Sequence, residues 1–325
     1  RESASLSEVR ERTSERLGRR MSEGLRGHGA MLLFSMLVAG SFSLGALASP
    51  FIAPELVTFL RFSIAALILG SICALRGELN ASVFTAAWRY VLLGGVFATY
   101  FVLMFEGLKT ATPVSAAAVF TLTPIVTAFA SFLLLRQITT WRIAGGLSIG
   151  AVGALWVIFR ADWSAFMLFE VGKGEIIYFW GCVCHAIYIP LVRLLNRGES
   201  AILFSFGTTI GGILVLLVWS WPAIWNTDYA ALPNIVWLTV LYVSIFATAA
   251  TFVLGQFASL RLPGAKVMAY TYLIPSWVTL WEIALGHGAP RGLILVGVGL
   301  TVLALVVLLK HEETGGRDGR LSKAD

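Results

Sequence analysis

Apolar residues fall in long blocks along this chain, separated by short polar stretches, and ten of the blocks approach the length of a membrane crossing. A helix rising 1.5 Å per residue needs about 20 mostly apolar residues to span a hydrocarbon core about 30 Å thick. The blocks run over residues 30–49, 55–75, 90–108, 112–135, 143–159, 176–194, 201–221, 234–260, 264–285 and 292–309. Their connections carry Pro, Gly and Asn, as in SPFIAP, LRGELN, LNRGES and GHGAPRG, which stop a helix and turn the chain. The longest connection, residues 160–173, marks the midpoint. This pattern predicts an all-α membrane protein of about ten transmembrane helices.

Composition points the same way. Of 325 residues, 58% are of hydrophobic types and 32 glycines come in addition, whereas soluble domains reach about 45–50% with glycine included. Charged residues make up 13%, about half the usual share, too few to cover a soluble fold of this size. The net charge of +6 forms no basic stripe interleaved with aromatics, so nucleic acid is not an expected partner. It reads instead as topology. With the N-terminus inside, the inner loops and tails hold nineteen Lys and Arg against four outside, as the positive-inside rule requires. Only an even number of helices gives that alternation. The chain starts at Arg1 and not at Met, so an incomplete or processed chain is expected. In the tail, Leu6, Val9, Leu17, Met21 and Leu25 are spaced for one helical face, which fits either a surface-lying helix or a tail without structure.

The two halves resemble each other. GGVFAT at 94–99 echoes VSIFAT at 243–248, and SAAAVFTLTP ending at Pro124 echoes KVMAYTYLIP ending at Pro275. Five helices per half is an odd number, so the second half enters the membrane from the opposite side. Inverted repeats of this kind are a carrier architecture with the substrate site between the repeats. The expected organisation is a cytoplasmic tail 1–28, a first repeat 29–160, an outer linker 161–173, a second repeat 174–310 and a cytoplasmic tail 311–325, around a central cavity.

An ionisable group inside a bilayer costs about 2.5–3.5 kcal/mol on insertion scales, so each asks for a reason. Arg61 lies within the second helix, where it holds an anionic substrate group or a carboxylate, or else snorkels or bonds carbonyls at a neighbouring helix end. Glu106 and Glu282 lie near the ends of the third and ninth helices and Glu175 at the mouth of the sixth. Each suits proton coupling or a plain interfacial position. His185 and Tyr188 share the sixth helix. Lys266, Tyr270, Leu273 and Trp277 form one stripe of the ninth. Pro124 and Pro275 occupy matching mid-helix positions and predict a kink or hinge. Two GxxxG stretches, Gly146 with Gly150 and Gly207 with Gly211, suit close packing within the chain or a homodimer. Trp219, Trp221, Trp225 and Tyr229 suit an interfacial aromatic belt. Cys73, Cys182 and Cys184 all sit in apolar segments and give no disulfide framework. No His or carboxylate set has metal spacing, and no cofactor is expected.

These stretches carry a resemblance to a known family. PELVTFLRFSIAAL, GLKTATPVSAAAVFTLTPIVTAF and IAGGLSIGAVGALW in the first half, with IFATAATFVLGQFASLRLPGAKVMAYTYLIP in the second, make the chain similar to EamA-type members of the drug/metabolite transporter superfamily. It departs from that family at the Gly-Glu that often follows the fourth helix of each repeat, where Arg136-Gln137 and Gly286-His287 stand. A common Trp in the first helix of each repeat is also absent. The resemblance implies ten helices, cytoplasmic termini in a bacterial inner membrane, and secondary transport of small metabolites. Export of amino acids or other amphiphilic compounds by alternating access is the expected form. It also implies a central cavity, and the residues expected to line it are Phe97, Tyr100, Phe120, His185, Tyr188, Phe246, Tyr270 and Trp277. Few helical charges argue against a polyanionic cargo.

Two other classes compete. An intramembrane enzyme needs a nucleophile with a base, a metal cluster or paired carboxylates, and the sequence has no HExxH or GxSxG and no Asp in the predicted helices. A scaffold or sensor needs extramembrane surface, of which there is little.

Overall fold

The computed structural model describes residues 2–79, 85–138, 140–168, 170–259, 261–262, 264–288 and 292–321, with side chains from residue 24 to residue 309 save those at 142, 256, 259 and 264–266. The side chains of the N-terminal tail up to Met21, on which the expected apolar face rests, and the Lys266 side chain lie outside those described.

Among the described residues, ten helical units follow one another: α1 (Glu2–Ala48), α2 (Pro54–Leu75), α3 (Trp88–Gly107), α4, α5 (Trp141–Ile158), α6 (Lys173–Leu195), α7 (Ala201–Trp219), α8, α9 and α10 (Gly292–Leu321). Three units are composite. α4 is split into Pro113–Phe120 and Thr123–Leu135; α8 runs as Asn234–Ser244, a π-helical turn Ile245–Ala250, and Thr251–Ser259; α9 is Gly264–Ala269, a 3₁₀ turn Tyr270–Leu273, and Ile274–Ala284. Short helices Trp163–Met167 and Trp221–Asn226 lie in the connections. Among the described residues, eight helices are long and apolar enough to cross a membrane. The other two crossings are the shorter α5 and the interrupted α9. Large apolar side chains face outward along these helices, Leu67, Phe129 and Val218 among them, as lipid requires.

Local sequence explains the ends and the breaks. Pro54 and Pro113 stand in the first turns of α2 and α4, and Thr112 caps α4 by accepting from the Ser115 N–H at 3.2 Å. The missing proline N–H is an orphan at such a position anyway. Pro124 and Pro275 do the same for the second halves of α4 and α9. The predicted kinks are therefore breaks, each with a short tight turn just before the proline.

Packing repeats with a shift of five helices. α3 lies along α6 and α7 as α8 lies along α1 and α2; the second half of α4 meets α6 as the second half of α9 meets α1. α2 pairs with α7, and α5 with α10. Five crossings reverse direction, so this relation is an inverted repeat, and ten crossings return the chain to its starting face. That face is called the terminal face below, and the other the far face. Small residues allow the closest approaches. A Cβ on Gly94 would collide with the Thr208 carbonyl and the Gly212 N, so α3 and α7 touch backbone to backbone. Gly153 and Gly297 do likewise for α5 and α10, each placing a Cβ 2.7 Å from the other's carbonyl oxygen. Both GxxxG faces are filled within the chain: Gly146 by Leu308, Gly150 by Tyr272, and Gly207 and Gly211 by Tyr90.

Candidate functional site

Helices α3, α4 and α6 bring a cluster of rings together between the repeats. Phe97, Tyr100 and Phe101 occupy positions i, i+3 and i+4 of α3, one face of a helix. The Phe97 ring stacks on Tyr188 at 4.5 Å and 14°. The His185 ring lies 4.7 Å from Tyr100 and 5.6 Å from Phe120. Phe42 from α1 and Phe62 from α2 border the cluster at 6.1 Å from Phe120 and 5.9 Å from Phe97. Tyr178, one helical face below His185, puts its hydroxyl 3.3 Å from that of Tyr100.

Five of the residues expected to line a cavity, Phe97, Tyr100, Phe120, His185 and Tyr188, thus meet in one place. The other three do not join them. Phe246 is 45% exposed and packs on Tyr242. The Tyr270 hydroxyl lies 2.8 Å from His28 Nδ1, and Trp277 Nε1–H donates to Ser35 Oγ at 3.0 Å, both tying α9 to α1. Sequence reasoning passed over Phe42, Phe62, Phe101 and Tyr178. The spacing of Phe101 after Phe97 and of Tyr178 before His185 held that signal.

Arg61 borders the same cluster. Its guanidinium sits 3.7 Å from the centroid of the Phe101 ring, a cation–π geometry. Nε–H donates to Thr248 Oγ1 at 2.7 Å and Nη2–H to the Ala247 carbonyl at 3.0 Å. Both acceptors lie in the π turn of α8. There i→i+5 bonding replaces the regular helix pattern, and Arg61 bonds one of its carbonyls. The matching Thr99 of α3 donates to Gly95 in an ordinary helical turn at 2.8 Å, whereas Thr248 reaches five residues back to Val243 at 2.7 Å. Arg61 is thus a tie between repeats.

Two polar atoms at the edge of the ring cluster have no hydrogen-bond partner among the described residues: Arg61 Nη1 and His185 Nδ1. An unpaired buried polar atom is costly in a low-dielectric interior. An unpaired guanidinium donor and an unpaired ring nitrogen, at the edge of a largely aromatic cluster, suit a small solute with a polar end.

The carboxylates are dispersed. Glu175 is buried and accepts from Ser115 Oγ at 2.8 Å. Glu106 pairs with Lys109 at 2.6 Å on the far face, both part-exposed. Glu282 accepts from or donates to His287 Nδ1 at 2.8 Å. Cys182 is buried, Cys184 half-buried, and both are free thiols. No group of three or more potential metal ligands forms among the described residues.

Fold and site together define an integral membrane protein, an all-α inverted repeat of two five-helix units closed around a central cluster. The chain belongs to the EamA-like transporter family, whose sequence model matches residues 25–159 and again 172–310. It is 24% identical over 281 residues to an uncharacterized transporter of Bacillus subtilis, YyaM, covering 86% of this chain and 91% of that one. It is 26% identical over 298 residues to a Chlamydia trachomatis protein named as an S-adenosylmethionine/S-adenosylhomocysteine transporter, covering 87% and 88% of the two. A solved crystal structure shares the fold, with a TM-score of 0.63 at 22% identity over 88% of this chain and 96% of the other. The protein is a membrane transporter.

Proposed function

We propose that this transporter is a secondary carrier that exports small amphiphilic metabolites, amino acids among them, by alternating access. One observation carries the reading: an aromatic cluster between the inverted repeats that has two unpaired polar atoms, Arg61 Nη1 and His185 Nδ1, at its edge. Such a box binds a ring or aliphatic body by stacking and burial, and a carboxylate or amine by the polar atoms. The Lys and Arg count of nineteen against four supports a terminal face that is cytoplasmic and, by the family resemblance, a bacterial inner membrane. The breaks before Pro124 and Pro275 suit hinges in the fourth helix of each repeat.

Reconstituted vesicles test this directly. Saturable flux of at least one labelled amino acid or amphiphile is expected, reduced about tenfold or more in His185→Ala and Tyr188→Ala, the scale of one lost polar contact. Vesicles silent across a broad panel, or variants with wild-type flux, would sink the proposal. Labelling of cysteines placed in both tails of intact cells checks the topology.

A second reading gains support from the near-parallel Phe97 and Tyr188 rings. Stacked on each other at 4.5 Å, they leave no slot between them, but an outer ring face suits a flat heteroaromatic ring or an organic cation, and relatives are named as S-adenosylmethionine/S-adenosylhomocysteine transporters. Both compounds belong in the panel. Competition by them but not by plain amino acids would favour this narrower cargo.

A further inference from the structure

At the far face, away from the central rings, a cavity of about 520 Å³ opens between the ends of four helices. Thr112, Pro113, Val114 and Ser115 of the α4 start form one wall; Val157, Arg160 and Ile294 come from α5 and α10; Glu282, His287 and Gly288 close it from α9. Glu282 is only 9% exposed. Its Oε2 engages His287 Nδ1 at 2.8 Å, and its Oε1 has no partner among the described residues. The central cluster leaves this carboxylate unused, and the matching stretch of α4, Ser131-Phe132, offers no acid.

Chemistry narrows what fits. The free acceptor wants a donor. An anion is disfavoured by the carboxylate and by the α4 start, where Pro113 has no N–H and the Ser115 N–H is already taken by Thr112. A metal ion would need more oxygen ligands than one free carboxylate atom, because Ser115 Oγ is committed to Glu175. The rest of the wall is Pro113, Val114, Val157 and Ile294, which suits an aliphatic body. Arg160 lines the same cavity and is exposed, placed for a carboxylate at the rim.

We propose that this cavity is a second solute site that takes the ammonium group of a small amino acid or amine on Glu282 Oε1, with Arg160 receiving the carboxylate when there is one. It rests on the transporter reading only for the class of solute, since binding here needs no transport.

Purified full-length protein at neutral pH can be titrated calorimetrically with leucine, leucinamide and N-acetyl-leucine. Leucine and leucinamide are expected to bind, and N-acetyl-leucine, which lacks the ammonium group, is not. Glu282→Gln should weaken both ligands by about tenfold or more. Arg160→Gln should weaken leucine and leave leucinamide unchanged. His185→Ala, expected to lose flux, should retain leucinamide binding, which separates this site from the central one. Equal binding of the acetylated compound to His185→Ala, no binding of either amine to the wild type, unchanged affinity in Glu282→Gln, or loss of leucinamide binding in His185→Ala would each overturn the proposal. The acetyl comparison is made in His185→Ala, where the central site is disabled, so it stands even where Glu282→Gln does not fold.

Discussion

Arg89 is 2% exposed and carries a positive charge at the terminal-face end of α3. Nη2–H donates to Glu199 Oε1 at 2.8 Å, Nη1–H donates to the Leu195 carbonyl, and the Tyr90 hydroxyl meets the same carboxylate at 3.3 Å. Glu199 lies in the connection between α6 and α7. Burial works against its ionisation, but hydrogen bonds from Arg89 and the Arg197 N–H outweigh burial and hold its pKa down to about 2. A depressed carboxyl stabilises the fold above its ordinary value near 4.5, and that contribution fades as pH falls through about 2. Thermal stability should therefore stay flat in this respect from neutral pH down to about 5. Glu199→Gln should cost about 1–3 kcal/mol at neutral pH by leaving Arg89 short of a partner, read as a lower unfolding temperature in detergent. Arg136 gives an opposite expectation. It ends α4 with φ of 52°, a left-handed conformation costing a side-chain-bearing residue about 1–2 kcal/mol. Arg136→Gly should raise stability by about 1 kcal/mol in the same assay. At this scale the sequence was readable where helical spacing decided the outcome. Phe97 with Tyr100, and His185 with Tyr188, are close along their helices, and the helix period alone puts them together. Partners such as Glu199 for Arg89, 110 residues apart, have no local signature.

Elements were legible in number and order, less so in their interior. A continuous eighth helix was the natural expectation for an apolar stretch without Pro, yet a π turn interrupts it at Ile245–Ala250. The arginine of a distant helix bonds two acceptors in that turn, a partner that no local pattern announces. Phe246 lies in the same turn. Its repeat partner Phe97 sits in a regular α-helix and joins the ring cluster, whereas Phe246 is 45% exposed. Arg61→Lys tests the coupling. A lysine keeps the charge but offers no planar fork to span Ala247 and Thr248. Stability is expected to fall by about 1–3 kcal/mol and flux by about tenfold, measured by thermal unfolding and vesicle uptake. Wild-type values in both would remove Arg61 from its tying role. The prolines were legible as sites of disruption, but whether they bend a helix or begin a new one depends on the turn before them.

Across the whole molecule, the inverted repeat was readable because it is written twice in the sequence, and the short loops leave few ways to connect ten helices. The seams between helices are where small residues matter. Gly153→Val should force α5 from α10, since even a Cβ there would lie 2.7 Å from the Gly297 carbonyl oxygen. Loss of folded protein on size-exclusion chromatography is the expected result. Gly145, with nothing within 4 Å of a Cβ, is the control. Its change to Ala should be tolerated and add about 0.5–1 kcal/mol, the usual helix-interior gain.

The π turn has a further effect when the molecule is considered as a two-state machine. A carrier whose halves were interchangeable would spend equal time with either mouth shut, because rotating it by half a turn would exchange the two conformations. Here only one of the two matching FAT segments is wound loosely and pinned by a guanidinium, so that exchange is no longer neutral. Each ~1.4 kcal/mol of the resulting difference weights one conformation tenfold over the other. On the alternating-access reading proposed above, the idle protein should rest mainly with one mouth closed, and an empty carrier with that bias would return to the same side of the membrane after every cycle.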